Sequence, residues 1–284
     1  VNVIDNFITG RKQNLDEIND AITFYEADIN DSEIVNQALK DVEIIFHQAA
    51  LPSVPRSIQD PITSLQNNIM GTATLLHAAV QNGVRRVIYA ASSSAYGNVV
   101  AQLKAEDMIP KPLSPYAVSK LTGEYLLQAF SHSYGLETVG IRYFNVFGER
   151  QDPSSQYSGV IAKFSKQMLS GERPTIYGNG EVSRDFTYVS NVVKGNMLAA
   201  QASAEVASGE IFNVACGKSI SVNDLVDSLN EILGESIEPI YAYARKGDIL
   251  HSCADIQKAH RLLRYEPTVH FLKGLERTVG WYAG

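Results

Sequence analysis

Arg86-Val87-Ile88-Tyr89-Ala90-Ala91-Ser92-Ser93-Ser94 is an apolar run that ends in three hydroxyls. A short continuous apolar stretch of this kind reads as a strand covered on both faces, the pattern of a parallel sheet. The serines then fall at the carboxyl end of the strand, where open parallel sheets bind ligands. Downstream, Ser114-Pro115-Tyr116-Ala117-Val118-Ser119-Lys120 reads as a helix start, with Ser114 as N-cap and Pro115 in the first helical position. Positions 116 and 120 share a helix face, separated by roughly 6 Å of rise. With an effective dielectric near 20, an ammonium at that distance is worth about 3 kcal/mol to a phenolate, roughly two pKa units off a tyrosine that starts near 10. Tyr116 therefore reads as a proton-abstracting base, with Ser92 and Lys120 as its companions. A Tyr–Lys pair one turn apart is also a common solvated surface pair, and the serine-tipped strand is what tilts the reading toward catalysis.

Outward from this stretch, apolar runs alternate with helical patterns. Val1 to Ile4, Ile22 to Tyr25, Val42 to Phe46, Arg86 to Ala90 and Thr138 to Arg142 read as strands, with helices near 31–40, 60–82 and 114–134. That is βα repetition, hence α/β architecture with a doubly wound parallel sheet. In the helix opened by Asp60-Pro61, the residues Ile62, Leu65, Ile69, Leu76 and Val80 trace an apolar stripe. After Gly148 the character changes: helices are expected near 159–170, 190–203, 222–233, 255–264 and 271–282, around a turn at Gly178-Asn179-Gly180. Ser221 with Asp224 reads as a capping box, and Ile211 to Ala215 as a strand that rejoins the main sheet. The expected domains are 1–147 plus 186–215, binding the dinucleotide, and 148–185 plus 216–284, a smaller substrate lobe.

The 284 residues, 45% hydrophobic and 19% charged, suffice for a large core. A net charge of −7 without a basic block argues against nucleic-acid binding. Local arginines can still take a diphosphate, with Arg56, Arg184 and Arg245 as candidates. No 18-residue apolar run or signal-peptide pattern is visible, so no membrane association is expected and the cytoplasm is the default location. Cys216 and Cys253 have neither metal-site nor disulfide spacing, which fits a reducing compartment, and no metal is expected.

The order and spacing of several motifs resemble the extended short-chain dehydrogenase/reductase family, and within it the UDP-hexose 4-epimerases, essentially end to end. The carrying residues are Val3-Ile4-Asp5-Asn6, Ala27-Asp28, His47-Gln48-Ala49-Ala50, Asn67 with Gly71-Thr72, Ser92 to Gly97, Tyr116 with Lys120, Arg142 to Gly148, Ser183-Arg184-Asp185-Phe186 and Gly247-Asp248. The resemblance implies a Rossmann-type fold, NAD as cofactor, and Ser92, Tyr116 and Lys120 as catalytic residues. It implies NAD contacts from Asp5, Asn6, Thr9, Gly10, Asp28, Ile29, Gln48, Ala49, Ala50, Asn67, Tyr116, Lys120, Tyr143 and Val146. Asp5 would accept from the adenosine ribose and disfavour a 2′-phosphate. UDP-sugar contacts are implied for Ser53, Arg56, Ser93, Ser94, Asn145, Tyr177, Arg184, Arg245, Asp248 and Ser252. A homodimer through the helices near 60–82 and 114–134 is also implied.

One departure from the family pattern concerns the glycine-rich pyrophosphate loop. The first strand-to-helix turn, where that loop belongs, is not found, because the sequence opens on what should be the second strand. A strand, loop and helix of about 25–30 residues is therefore expected in the natural polypeptide, the span of a typical βαβ beginning. The reaction implied is inversion at C4 of a UDP-hexose through a 4-keto sugar. UDP-N-acetylglucosamine/UDP-N-acetylgalactosamine comes first, because Ser252 is small where epimerases restricted to plain hexoses resemble one another in carrying tyrosine. UDP-glucose/UDP-galactose comes second. The alternatives are a UDP-glucuronate 4-epimerase, a 4,6-dehydratase or a non-catalytic nucleotide-sugar binder. Dehydration is disfavoured because Ser93 and Ser94 stand where dehydratases carry an Asp-Glu pair, and serines cannot titrate near neutrality.

Overall fold

The computed structural model describes residues 1–99, 101–153, 159–244 and 250–284. In chain order come β1 (Asn2–Asp5), a 3-10 segment Lys12–Ala21, β2 (Thr23–Glu26), α1 (Ser32–Ala38), β3 (Ile44–His47), α2 (Val54–Gln59), α3 (Pro61–Leu65), a π-helical turn Gln66–Met70, α4 (Gly71–Gln81), β4 (Arg86–Ser92), a 3-10 turn Ser93–Tyr96, α5 (Pro115–Tyr134) and β5 (Glu137–Tyr143). Then follow β6 (Val146–Phe147), α6 (Val160–Leu169), β7 (Thr175–Tyr177), β8 (Ser183–Arg184), β9 (Thr187–Tyr188), α7 (Val189–Gln201), α8 (Ala204–Ala207), β10 (Glu210–Val214), β11 (Ile220–Ser221), α9 (Val222–Leu233), β12 (Ile240–Ala242), β13 (His251–Ser252), α10 (Gln257–Leu263) and α11 (Phe271–Ala283). They form two compact units, one of Val1–Gly97, Ile109–Arg142 and Asn196–Phe212, the other of Asn98–Met108, Tyr143–Gly195 and Asn213–Gly284. Compared with the expected domains, residues 98–108, 143–147, 186–195 and 213–215 group with the second unit.

In the first unit β4 is buried along its length until Ser92. It pairs in parallel with β3 inside a sheet of order β10-β5-β4-β3, so the strand near 211–215 does rejoin the sheet. β1 and β2 pair in parallel as a separate two-stranded sheet. Leu75, Leu76, Ala79, Val87, Tyr89 and Leu127 pack the core between sheet and helices. Helix starts follow local chemistry: Asp31 accepts from Glu33 N and Ile34 N, and Ser114 Oγ accepts from Ala117 N. At the end of α5, Gly135 takes φ 69°, the left-handed cap that glycine adopts without Cβ strain.

Two features differ from the sequence expectation. The apolar stripe of the 60–82 segment is displaced: Ile62 is 72% exposed, whereas Ser64, Asn68 and Thr72 are buried. The π turn at Gln66–Met70 rotates the later side chains, Thr72 among them, relative to a 3.6-residue period, whereas Ile62 and Ser64 precede it and face as they do from the short helix α3. The parallel strands are also incompletely covered. Among the described residues, β1 and β3 each keep an edge with no strand hydrogen-bonded to it. A cavity of about 580 Å³ is lined by residues of both strands, and Phe46 on β3 is 42% exposed.

The second unit has its own core of Phe147, Phe164, Phe186, Tyr188, Leu225 and Leu275 among others. The capping box forms as the sequence predicts: Ser221 Oγ accepts from Asp224 N while the Asp224 carboxylate accepts from Ser221 N. Asp185, wholly buried, accepts from the backbone N–H of Cys216, Gly217 and Ala254, joining β8 to two loops. Among the described residues no helix is long and apolar enough to cross a membrane. Cys216 and Cys253 are free thiols.

Candidate active site

β4 ends on Ser92, whose Oγ accepts from Ser94 N at 3.2 Å and from Ser94 Oγ at 2.9 Å. Ser92 also lies near enough to the Tyr116 phenol, in the first turn of α5, to favour its anion. Lys120, one turn further, is 3% exposed and donates from Nζ to Ala90 O at 2.7 Å. The sequence thus brings Ser92, Tyr116 and Lys120 together at the carboxyl end of a parallel strand. The electrostatics differ from the expectation. Burial pushes the Tyr116 phenol up, and Ser92 offsets only part of that. Burial also brings Lys120 down to about 7. The sequence argument counted the attraction of the pair but not the loss of water around it, and desolvation dominates.

Behind the trio lies a buried polar layer that sequence reading missed. Asn68 Oδ1 accepts from Leu51 N at 2.8 Å, and its Nδ2 donates to Ser119 Oγ at 3.0 Å. Ser119 Oγ in turn donates to Tyr116 O at 2.8 Å. Asn68 therefore ties the loop after β3 to the helix turn that carries the tyrosine. Thr72 Oγ1 donates to Asn68 O at 2.6 Å and meets His47 Nε2 at 2.9 Å, so His47 carries its proton on Nε2. Burial, followed by the Lys120 charge, pushes His47 down to about 3, leaving a neutral imidazole. One signal was available: Ser64, Asn68 and Thr72 recur every four residues along the segment, and a polar row on a buried face calls for hydrogen-bond partners.

Asp5, Asn6, Thr9, Gly10, Asp28, Ile29, Gln48, Ala49, Ala50 and Asn67 all line the single 580 Å³ cavity at the ends of β1, β2 and β3. Asp5 Oδ1 accepts from Phe7 N at 2.7 Å, and Gly10 comes so close that a Cβ there would meet Asp5 Oδ2 at 2.9 Å. Burial pushes the Asp28 carboxyl up, but bonds from Asn30 and Asn6 outweigh it and leave it below the usual carboxylate range. Asn67 Nδ2 donates to Thr63 O at 2.8 Å. Two carboxylates at strand ends and small side chains at 49 and 50 suit the ribose hydroxyls and close backbone approach of a dinucleotide. The cavity residues thus fit NAD.

Ser53 is buried and caps α2 by accepting from Arg56 N at 3.1 Å. Ser93 and Ser94 follow Ser92 in the 3-10 turn. In the second unit, the register of β8 and β13 sets Arg184 against Ser252. Arg184 Nη1 donates to Ser183 O at 2.9 Å, and Ser252 O accepts from Asp185 N at 2.9 Å. Asn145 has φ 26° and its carbonyl accepts from Thr187 N at 3.2 Å. Tyr143 and Val146 belong to this unit too, as does Tyr177, 37% exposed on β7. Arg245 and Asp248 lie outside the described residues.

With this geometry in view, residues 1–215 match the profile of the NAD dependent epimerase/dehydratase family. The chain belongs to that family. It is 38% identical to the UDP-glucose 4-epimerase of Thermotoga maritima, solved with UDP-glucose, at a TM-score of 0.93, covering 99% of this chain and 90% of the other. The UDP-N-acetylglucosamine 4-epimerase of Methanobrevibacter ruminantium, in complex with UDP-N-acetylmuramic acid, is 40% identical with the same TM-score of 0.93 and the same coverage of 99% and 90%. A mutant UDP-glucuronic acid 4-epimerase of Bacillus cereus, bound to UDP-4-deoxy-4-fluoroglucuronic acid and NAD, is 33% identical, with a TM-score of 0.90 over 99% of this chain and 90% of that one. As a member of this family the protein is an NAD-dependent isomerase of the Rossmann type, and the 4-epimerases of UDP-sugars are its relatives. These relatives differ in the sugar, so the family alone leaves the hexose open.

Proposed function

We propose that the protein inverts C4 of a UDP-hexose, with UDP-N-acetylglucosamine/UDP-N-acetylgalactosamine as first pair and UDP-glucose/UDP-galactose as second. The observation that carries this reading is Ser92 at the tip of β4, near enough to the Tyr116 phenol in the first turn of α5 to favour its anion, with Lys120 buried one turn behind. Tyr116 takes the proton of the 4-hydroxyl and Ser92 holds the oxygen in line. When bound, NAD supplies the hydride acceptor for C4 and a positive charge that favours the phenolate. Asp5 and Asp28 would hold its ribose hydroxyls, and the small side chains of Ala49 and Ala50 would let the backbone come close to it. The 4-keto sugar turns over before reduction, so the nucleotide must be gripped apart from the sugar. Arg184, beside Ser252, suits a diphosphate. Replacing Tyr116 with Phe should lower turnover by ~10²-fold or more while UDP binding stays within a factor of about two; unchanged turnover would remove Tyr116 as the base.

Residues 1–147 plus 186–215 would hold the dinucleotide and 148–185 plus 216–284 the UDP-sugar. Two copies would pair through the exposed apolar side chains Ile58, Ile62, Met70, Val118 and Tyr125. Sedimentation at the mass of one chain would remove the pairing.

A further inference from the structure

A buried lysine needs a reason to remain protonated. Lys120 has a backbone carbonyl, Ala90 O, at 2.7 Å, and on another side its Nζ lies 4.9 Å from the ring centroid of Tyr89. Tyr89 is 1% exposed, in the middle of β4, and its own position is fixed by the helix that carries the lysine. A Cβ at Gly123 would meet the Tyr89 hydroxyl at 2.2 Å. Gly123 sits inside α5, where glycine costs about 1 kcal/mol relative to alanine. The Tyr89 ring is what that glycine makes room for. We propose that Tyr89 is a positioning residue for Lys120: its ring face holds the ammonium under the first turns of α5, and Gly123 admits the ring.

The proposal rests on the reading of Tyr116 and Lys120 as the reacting pair, but its geometry does not. The face of an aromatic ring carries negative potential, so a desolvated ammonium within ~6 Å of the centroid is held in its charged form. The other groups around Lys120 favour no such outcome. His47 on β3 stands neutral and offers a dipole, and Tyr116 on α5 is a neutral phenol until it reacts. The Glu124 carboxylate is engaged by Arg142 from β5, at 2.9 Å through Nε and 2.7 Å through Nη2. The ring and the Ala90 carbonyl are therefore the groups that keep a proton on Lys120 at a pH where its burial would remove it.

The test is a pH titration of the Lys120 Nζ by NMR, using lysine labelled with ¹³C at Cε and Lys120→Met to assign the signal. This readout is independent of turnover. Tyr89→Phe, which keeps the ring, should leave the midpoint near that of the parent protein. Tyr89→Leu should lower it by about one pH unit. A graded series of fluorinated phenylalanines at position 89 keeps the shape and weakens the ring face stepwise, and the midpoint should fall with each fluorine. Gly123→Ala, which displaces the ring, should act in the same direction as Tyr89→Leu. In an epimerase assay, the alkaline limb of turnover should move with the NMR midpoint. A midpoint that ignores fluorination overturns the proposal, as does an equal shift in Tyr89→Phe and Tyr89→Leu. Loss of turnover in Tyr89→Phe with an unmoved Lys120 midpoint would instead assign the role to the hydroxyl. Failure of Tyr116→Phe to lower turnover would count against the catalytic reading and leave this one standing.

Discussion

Lys120 in the first unit and Asp185 in the second are both buried ions moved toward neutrality by desolvation, to about 7 and to about 6 respectively. Their surroundings differ. Asp185 has its carboxylate occupied by backbone N–H groups at 3.0 Å from Cys216, 2.9 Å from Gly217 and 3.2 Å from Ala254, with the Cys253 thiol at 3.8 Å. Lys120 touches one carbonyl and the face of a ring, one helical turn from the Tyr116 phenol. A perturbed proton affinity marks both places, so it does not by itself tell a catalytic group from a structural one. The partners tell them apart. Asp185 is saturated by groups that cannot move, which is what a clamp requires. In the reaction proposed here, Lys120 would stand beside a phenol whose charge changes.

The largest effects should come from removing each ion in turn. Lys120→Met keeps the volume and discards the buried charge, so turnover should fall by ~10²–10⁴-fold, while the unfolding free energy stays level or rises. Asp185→Ala should do the opposite to stability. It leaves backbone donors buried without an acceptor, at ~1–3 kcal/mol each and not additively, so a loss of ~3 kcal/mol is expected in denaturant unfolding. If Lys120→Met proved as destabilising as Asp185→Ala, the contrast between the two sites would collapse.

A smaller effect separates the units by acidity. His47 titrates at about 3 in the folded chain against roughly 6.5 unfolded. Its neutral form therefore contributes stability that is complete above about 6.5 and is lost as the pH falls toward 3. For Asp185 the sign reverses: its folded value of about 6 exceeds the ordinary ~3.9, so stability declines as the pH rises between the two. Urea unfolding across this range should show a shallower acid loss for His47→Gln and a steeper one for Asp185→Asn, relative to the parent. Parallel curves for both variants would mean that these groups do not control the pH response.

Much of the fold was legible because apolar runs and helix caps are local signals. The strands near β1 to β5, the capping box at Ser221 and the N-cap at Ser114 all follow from residues within four positions of one another. The Tyr116–Lys120 pair is local in the same way, whereas Ser92 comes from a different element, the end of β4. What failed were properties that belong to the assembled interior. The π turn at Gln66–Met70 has no compositional signature, and it changes the phase of the side chains that follow, so Thr72 is buried. The direction of the Tyr116 shift depends on how much water the folded chain removes, and no spacing rule encodes that. His47 was quoted within a motif and Tyr89 within a strand, yet neither received a role, because their partners come from other elements.

The smallest expected effect concerns the choice of sugar and lies in the second unit, two residues from the loop that Asp185 holds. Ser252 is half-buried on β13, in register with Arg184, and its carbonyl is fixed by Asp185 N at 2.9 Å. A backbone held this firmly lets a side chain act as a size gate, since a larger residue cannot be accommodated by moving the strand. Ser252→Tyr should therefore lower kcat/KM for UDP-N-acetylglucosamine relative to UDP-glucose by ~10-fold, the discrimination a small steric difference in a pocket supplies. Both substrates should be assayed on the same preparation by following the axial 4-epimer by NMR. An unchanged ratio would remove Ser252 from specificity. A ratio that also shifts in Asp185→Asn, with Ser252 intact, would show that the clamp sets the gate's position, and the contrast drawn between a purely structural ion and a catalytic one would need to be redrawn.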